Sequence, residues 1–554
     1  MITAFIKSSC FQDSVSLMII SKKLSGMPSV NQVSVMMGTP ANKDLFQTTG
    51  LWHEMFETAT PNDICISIDT DVDSDDVRDE VSANLEEELA NIANGSKGKT
   101  LPTVRSWARA EKVLPDANLA LISVAGEYAT ETAYKALDRG LNVMLFSDNV
   151  PIAQEKALKE DARKKGLLVM GPDCGTASIS GVPLAFANKM PKGSIGIVGA
   201  SGTGIQELCS QIALLGGGIT HALGLGGRDL SEEIGGISAK AALDILDNDN
   251  DTKVIAFVSK PPAANVRKAI IEKMQTLSKP VVALFLGDKS EMKAIGNVQL
   301  PYTLDEAAKT TSELADALSV LSNLGEESLQ GGKIRGLYTG GTLAAEAGML
   351  VAEKFALQVS VEHKNGEMLN DQGHMIIDLG DDAYTVGRPH PMIDPSTRSD
   401  QILALVDQDF SVLLVDVVLG FGGHIDPAGA VVDAVNELRE QRNKPFAVVA
   451  TVTGTAQDPQ DRLQQIQMLE DAQIKVADSV SEAVNFCSIL MSCKLPQESD
   501  DTPHYLLTQP KIINIGLASF AEDLLTCNAT AIHYRWSPVA GGNQHLAELL
   551  KKLS

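Results

Sequence analysis

Along this chain, short runs of β-branched and aliphatic residues alternate with stretches whose apolar positions recur at helical spacing. The runs fall at residues 3–7, 33–37, 64–68, 119–124, 143–146 and 167–170. They continue at 195–198, 254–258, 281–285, 412–417, 446–452 and 512–515. Strands separated by helical patterns pack into parallel sheets, so the pattern predicts a multidomain α/β fold. Polar breaks bearing glycine or proline lie at 94–103 (NGSKGKTLPT), 325–333 and 496–503 (PQESDDTP).

A second regularity is internal. ASGTGIQEL at 200–208 aligns with TGGTLAAEA at 339–347, placing Gly202, Thr203 and Glu207 over Gly341, Thr342 and Glu346. GLGGRD at 224–229 has its counterpart in DLGDD at 378–382, and each is followed by a helical stretch and a buried strand, VIAFVS and VLLVDVV. A Lys-Pro pair and another strand come next, from Lys279 and Lys444, and an acidic helix closes each half, from Thr303 and Ser479. Shared order and spacing make two copies of one α/β domain the expected architecture.

Composition narrows the partners. At 554 residues the chain is too long for one core. A net charge of −25 argues against nucleic acid or an anionic membrane surface, but not against small anions held by local geometry. The seven cysteines are scattered, with no CxxC pair, which predicts a reduced, cytoplasmic setting. No apolar stretch approaches the ~20 residues of a membrane span, and Gln12 and Asp13 interrupt any signal-peptide core. His221, His363, His374 and His424 form no HxH or HExxH group, so no metal site is expected. The acids of 69–80 are spaced superficially like a calcium loop. Ser74 stands where the turn glycine belongs, and they read as a helix start.

The candidate chemistry lies in glycine turns. GASGTG at 199–204 is neither a dinucleotide fingerprint nor a P-loop. A strand feeding a helix through such a turn leaves backbone amides free for an anion. Gly199, Ser201, Gly202, Thr203 and Gly204 are the first candidate phosphate or carboxylate seat, and Gly340, Gly341 and Thr342 the second. The bland alternative is a tight turn capped by Ser201 or Thr203. GRPHPMIDP at 387–395 is an insertion in the second copy, held extended by its prolines. Within it Arg388 is a candidate for gripping a carboxylate and His390 for donating to an oxyanion, against a rigid surface loop with one salt bridge. Arg228 is a weaker candidate of the same kind. Asp173 and Cys174 follow a buried strand at the edge where α/β sheets bind ligands, although a buried, inert thiol is the simpler reading of Cys174. HYRWSPVAGGN at 533–543 reads as a partner-docking segment or a small appendage on the main body.

With its strand–SGT–helix turn, GxGGD-like segment and Lys-Pro strand, the repeated unit resembles the ligase domain of succinyl-CoA synthetase-type enzymes. Residues 119–148, with LLVMGPDCG at 167–175, resemble that family's Rossmann-like CoA-binding domain. Across the whole chain, MITAFIKSSCFQDSVSLMII, MGPDCGT, VGASGTGIQELCSQIA, TVGRPHPMIDP and HYRWSPVAGGN resemble the FdrA proteins. The combined layout is an N-terminal α/β domain (1–100), a Rossmann-like CoA-binding-type domain (101–191), flavodoxin-like ligase-type copies (192–325 and 333–495) and a C-terminal α/β extension (504–554).

The FdrA resemblance implies a subunit of oxamate carbamoyltransferase, made with two further proteins and linked to allantoin breakdown. Its substrates are small anions: carbamoyl phosphate, oxamate or oxalurate, and phosphate. It implies no resident cofactor; CoA enters only through the ligase likeness. The alternatives are an acyl-CoA synthetase subunit and a non-catalytic scaffold. The ligases' phosphohistidine falls after the Lys-Pro strand of the first copy, yet 287–303 contains no histidine, and their supporting glutamate aligns with SKPP at 259–262. A histidine relay of phosphate is therefore not expected, and direct attack of phosphate on a carbamoyl carbon needs none.

Overall fold

The computed structural model describes residues 1–538 except 9, 11, 13, 29, 73–74, 95–100, 326–328, 330–331 and 360–363. The centres of the breaks expected at 94–103 and 325–333, Ser74, His363 and the end of HYRWSPVAGGN lie outside the described residues. The chain divides into two compact units: Met1–Leu277 with Val281–Ala307 and Ser499–Ser554, and Ser278–Pro280 with Ala308–Glu498. No helix among the described residues is long and apolar enough to cross a membrane.

The first unit contains three sheets. Strands β1 (Ile2–Lys7), β2 (Gln32–Met37) and β3 (Ile64–Asp69) form an antiparallel sheet in the order β1-β3-β2. Its Phe5, Val33, Val35, Ile66 and Ile68 pack with Leu17 and Ile20 of one helix and Val81 and Leu85 of another. The next sheet takes β4 (Thr103–Val104), β5 (Leu119–Ile122), β6 (Asn142–Leu145) and β7 (Val169–Met170) from the middle of the chain. It takes β22 (Lys511–Ile515) and β23 (Thr530–Tyr534) from the end. All run parallel in the order β4-β23-β22-β5-β6-β7, a Rossmann-like arrangement.

That order corrects the expectation of a separate C-terminal extension. β22 lies directly against β5, with Ile512 opposite Leu119, so the tail supplies interior strands. Its apolar run KIINI is buried on both faces because helices cover the sheet, which an isolated fifty-residue piece could not achieve. Trp536 packs on Tyr128, ring centroids 5.2 Å apart.

The third sheet comprises the hairpin β8 (Thr176–Ile179) and β9 (Val182–Ala185), then β10 (Lys192–Gly199), β11 (Ile219–Gly224), β12 (Val254–Ser259) and β13 (Val281–Phe285), with short β14 (Ala294–Ile295) and β15 (Val298–Gln299). The hairpin pairs with β11, so residues 176–185 belong to this sheet and not to the Rossmann-like domain expected through 191. The second unit holds β16 (Ile334–Tyr338), β17 (Glu367–Asp371), β18 (His374–Asp378), β19 (Val412–Val418), β20 (Ala447–Thr453) and β21 (Lys475–Ala477).

The predicted duplication is visible in the strand order. The parallel strands run β11-β10-β12-β13-β15 in one copy and β18-β16-β19-β20-β21 in the other, the flavodoxin-like 2-1-3-4-5 order in both. Each copy also carries an antiparallel strand on the same edge, β8 beside β11 and β17 beside β18. Ligands of such sheets bind at the carboxyl ends of the strands, where both glycine turns lie.

Candidate functional site

In the first copy, β10 ends at Gly199 and the helix Gly202–Leu214 follows. A Cβ on Gly199 would lie 2.5 Å from Ile205 Cγ1, so glycine is required by the close packing of strand and helix. Ser201 is the N-cap, its Oγ accepting from the Gly204 amide at 3.2 Å. The Ala200 amide donates to the Val258 carbonyl at 3.0 Å. Gly202 and Thr203 occupy the first two helical positions, where amides have no intrahelical acceptor and the helix dipole is positive. Thr176 Oγ1 stands beside them, 3.2 Å from where a Gly202 Cβ would be. Thus Gly199 and Gly204 shape the turn, Ser201 caps it, and Gly202 and Thr203 present donors. Such donors suit a phosphate oxygen, whichever molecule carries it.

Two neighbouring candidates are corrected, and a third lies apart from the turn. Burial pushes the Cys174 thiol up to about 12, and its Sγ faces the Thr176 carbonyl at 3.7 Å, so it is an inert core group. Arg228 is not free to grip a substrate: its Nη2 donates to the Val150 carbonyl at 2.7 Å and pairs with Glu155 at 2.8 Å. It belongs to a network in which Lys159, itself buried, lies 3.0 Å from Glu155 and 2.7 Å from Asp229. Asp229 in turn accepts from the Ser238 and Ala239 amides at a helix start. Asp173 remains exposed, in a left-handed conformation (φ 58°), with its carboxylate beside Gly227 of the GLGGRD loop rather than at the turn.

The second turn differs in kind. The Thr339 amide donates to Asp416 Oδ1 at 2.8 Å, the Thr339 hydroxyl to the same oxygen at 3.0 Å, and the Gly340 amide to Oδ2 at 2.8 Å. Asp416 is fully buried on β19, and Arg398 Nη1 lies 3.3 Å from Oδ1 while donating to the Asp416 carbonyl at 2.5 Å. Burial pushes the Asp416 carboxyl up, opposed by Arg398 and by the turn's donors. A Cβ on Gly341 would lie 2.6 Å from Asp378 Oδ2, so a second carboxylate crowds the start of helix Gly341–Phe355. Burial, with Asp381 and Asp416 nearby, raises the Asp378 carboxyl against the Gly380 amide and His390. Of the expected anion seat of Gly340, Gly341 and Thr342, the Gly340 donor is therefore already taken by an aspartate of the chain, and Asp378 crowds Gly341.

His390 and Arg388 part company. The His390 Nδ1 accepts from the Met392 amide at 3.2 Å, and its Nε2 faces Gly380 next to Asp378. It lines a cavity of about 290 Å³ with Met392, Ile393, Leu419, Gly420 and Phe421. Gln460 pins the glycine loop there, accepting from the Gly420 amide at 3.0 Å and donating to its carbonyl at 2.8 Å. Arg388 stays exposed, 3.8 Å from the equally exposed Asp400.

Asp378, Asp416 and Arg398 were missed in the sequence. The signal was available for one of them: an aspartate inside VLLVDVV is a charge in a buried strand, and such a charge demands a partner. A larger cavity, about 490 Å³, opens at the other end of this sheet between Phe446 and Phe486. Its cations are engaged, Lys475 by Asp316 and Arg442 by the carbonyls of Leu405, Gln408 and Phe410.

Comparison with known proteins follows the sheets. Residues 337–490 match the CoA-ligase family and residues 190–287 the CoA binding domain. The CoA binding match thus falls on the first flavodoxin-like copy, not on residues 101–191 as the resemblance suggested. Residues 1–103 match the AllF heavy metal-associated domain. That domain's description implies a metal, but the described residues include no group of three His, Cys, Asp or Glu able to hold one. Its cysteines are Cys10 and Cys65, and Cys65 is buried in β3 with its thiol pushed up to about 11. Among the described residues the donor set does not fit a soft metal ion.

These matches define a multidomain α/β protein with CoA-binding-type and CoA-ligase-type domains. Succinate–CoA ligase (ADP-forming) subunit alpha 1 of Archaeoglobus fulgidus is 24% identical over 205 residues, 36% of this chain and 69% of that one. A dinucleotide-forming acetyl-coenzyme A synthetase 1 of Ca. Korarchaeum cryptofilum aligns with a TM-score of 0.49 at 16% identity, covering 74% of this chain and 86% of that one. Within the class, the chain belongs to the family of the uncharacterized protein YahF of Escherichia coli (strain K12). The two are 39% identical over 503 residues, 86% of this chain and 95% of YahF.

Proposed function

We propose that this chain is a subunit of an oxamate carbamoyltransferase, working with two further protein subunits on carbamoyl phosphate and oxamate. The observation that carries the reading is the first-copy turn, where Gly202 and Thr203, at the first two helical positions, present donors that have no intrahelical acceptor. The match of residues 1–103 to the AllF domain and the FdrA resemblance support it. A phosphate held by those amides attacks the carbamoyl carbon of oxalurate; the tetrahedral oxyanion collapses, the C–N bond breaks, and the departing oxamate amide nitrogen takes a proton. The reverse direction joins oxamate to the carbamoyl group and releases phosphate. By residue type, Arg388 is the candidate for a carboxylate and His390 for an oxyanion within the second unit, and neither is assigned a place at the first-copy turn.

The CoA-ligase and CoA binding matches favour a second reading, an acyl-CoA synthetase subunit whose turn holds an acyl phosphate or a phosphate of CoA. One assay separates the two. The protein, with its partner subunits, is tested for oxamate-dependent phosphate release from carbamoyl phosphate and for CoA-dependent ATP hydrolysis. Release with oxamate alone supports carbamoyl transfer; CoA-dependent hydrolysis without it supports the ligase. Release that survives both Thr203→Glu and Arg388→Ala identifies this subunit as a scaffold.

A further inference from the structure

The two copies can be compared strand by strand around their turns. In the first, Gly199 at the end of β10 lies opposite Gly224 of β11 and Val258 of β12. In the second, Tyr338 at the end of β16 lies opposite Asp378 of β18, and the register that pairs Leu337 with Val415 brings the next residue of β19, Asp416, to the same level. The positions flanking the turn are thus glycine and valine in one copy and two aspartates in the other. The consequence reaches the backbone: the Ala200 amide donates to a carbonyl, whereas the equivalent Thr339 amide and its neighbour Gly340 donate to the Asp416 carboxylate. Arg398 fixes that carboxylate from behind, and neither side chain is accessible.

We infer that Asp416 is a built-in anion of the second turn, a specificity-determining residue that closes this turn to phosphate-type ligands. The duplicated turns are therefore unequal, and the second contributes its acidic, hydrogen-bond-accepting rim instead of an anion seat. A phosphate on the Gly341 and Thr342 amides would sit beside Asp416, fixed at the preceding two residues, and beside Asp378, and both carboxylates oppose its charge. The inference deepens the carbamoyltransferase reading by assigning the phosphate to the first copy only, yet it can be tested apart from it.

The probe is inorganic phosphate titrated calorimetrically into the full-length protein. The variant Asp416→Val with Asp378→Gly and Arg398→Met gives the second copy the first copy's residues at both flanking positions and removes the orphaned cation. It is expected to bind one more phosphate per chain than the wild type, and the added site is expected to vanish on Thr342→Glu. Asp416→Asn with Asp378→Asn keeps the shape of both side chains and serves where that variant does not fold, with a weaker gain expected. In the wild type, Thr342→Glu is expected to leave phosphate affinity unchanged within about twofold. A loss of tenfold or more in that variant, or no gained site in a folded Asp416 variant, overturns the inference. A wild type that binds no phosphate counts against the first-copy seat alone, because a gain from none to one in the variant still reads out Asp416.

Discussion

Lys159 and Asp229 meet at 2.7 Å inside the first unit with neither side chain exposed, joining helix Ile152–Lys164 to the loop after β11. Lys159 also donates to the Leu225 carbonyl at 3.1 Å, so one ammonium orders the segment that brings Arg228 and Asp229 to their places. Lys159→Met leaves Asp229 buried without its cation. The expected cost is about 3–5 kcal/mol, read as a lowered urea midpoint of the transition that includes this unit.

Thr203→Glu puts a carboxylate at the second position of the first-copy helix, where the dipole favours it. Stability is expected to hold or to rise by about 0.3–1 kcal/mol, while phosphate affinity falls by about tenfold or more, roughly 1.4 kcal/mol. A thermal melt and a phosphate titration of the same preparation check both halves. Equal loss of stability and affinity would mean that the turn is damaged rather than filled.

His374 gives a pH dependence with a definite sign. Burial, with Lys333 and Arg335 adding to it, lowers its pKa to about 4 from 6.5, and its Nδ1 accepts from the Ile334 amide at 3.2 Å. Between those values the unfolded chain binds the proton that the folded one refuses, so stability rises with pH across the window and is lost as pH falls from 6.5 toward 4. Denaturation of the second unit at pH 7.5 and 5 should show that loss, and His374→Gln should reduce the difference.

The thiols of Cys174 and Cys487 are held unreactive by burial. A thiol reagent at pH 8 is expected to leave both unlabelled in the native protein and to label both in urea. Cys174→Ala is expected to leave turnover within about twofold, since one buried sulfur contributes packing alone.

The alternation of strands and helices, and the repeat, were legible because each depends on local pattern. The C-terminal run at 512–515 was recognised as a strand, but its place beside β5 was not, since 393 residues separate Asn118 from the Lys511 to which it bonds. The first turn was legible down to the Ser201 cap. In the second, Gly340 was over-read because its glycines carry the signal of an open turn, while the group that takes its amide, Asp416, lies 76 residues away. Arg228 was over-read for the same reason: exposure of an arginine in a glycine loop says nothing of Glu155, which arrives from another helix.

The placement of β22 and β23 between β5 and β4 also fixes an order of assembly. During synthesis, β5, β6 and β7 emerge early and wait with an open edge while the whole second unit is made. The Rossmann-like sheet can close only when the last strands arrive, after sequence separations that slow pairing and leave that edge open to misassociation. A ribosome that stops short of Lys511 therefore yields a complete second unit attached to a first unit missing the middle of its sheet, and late nonsense mutations should be as damaging as early ones.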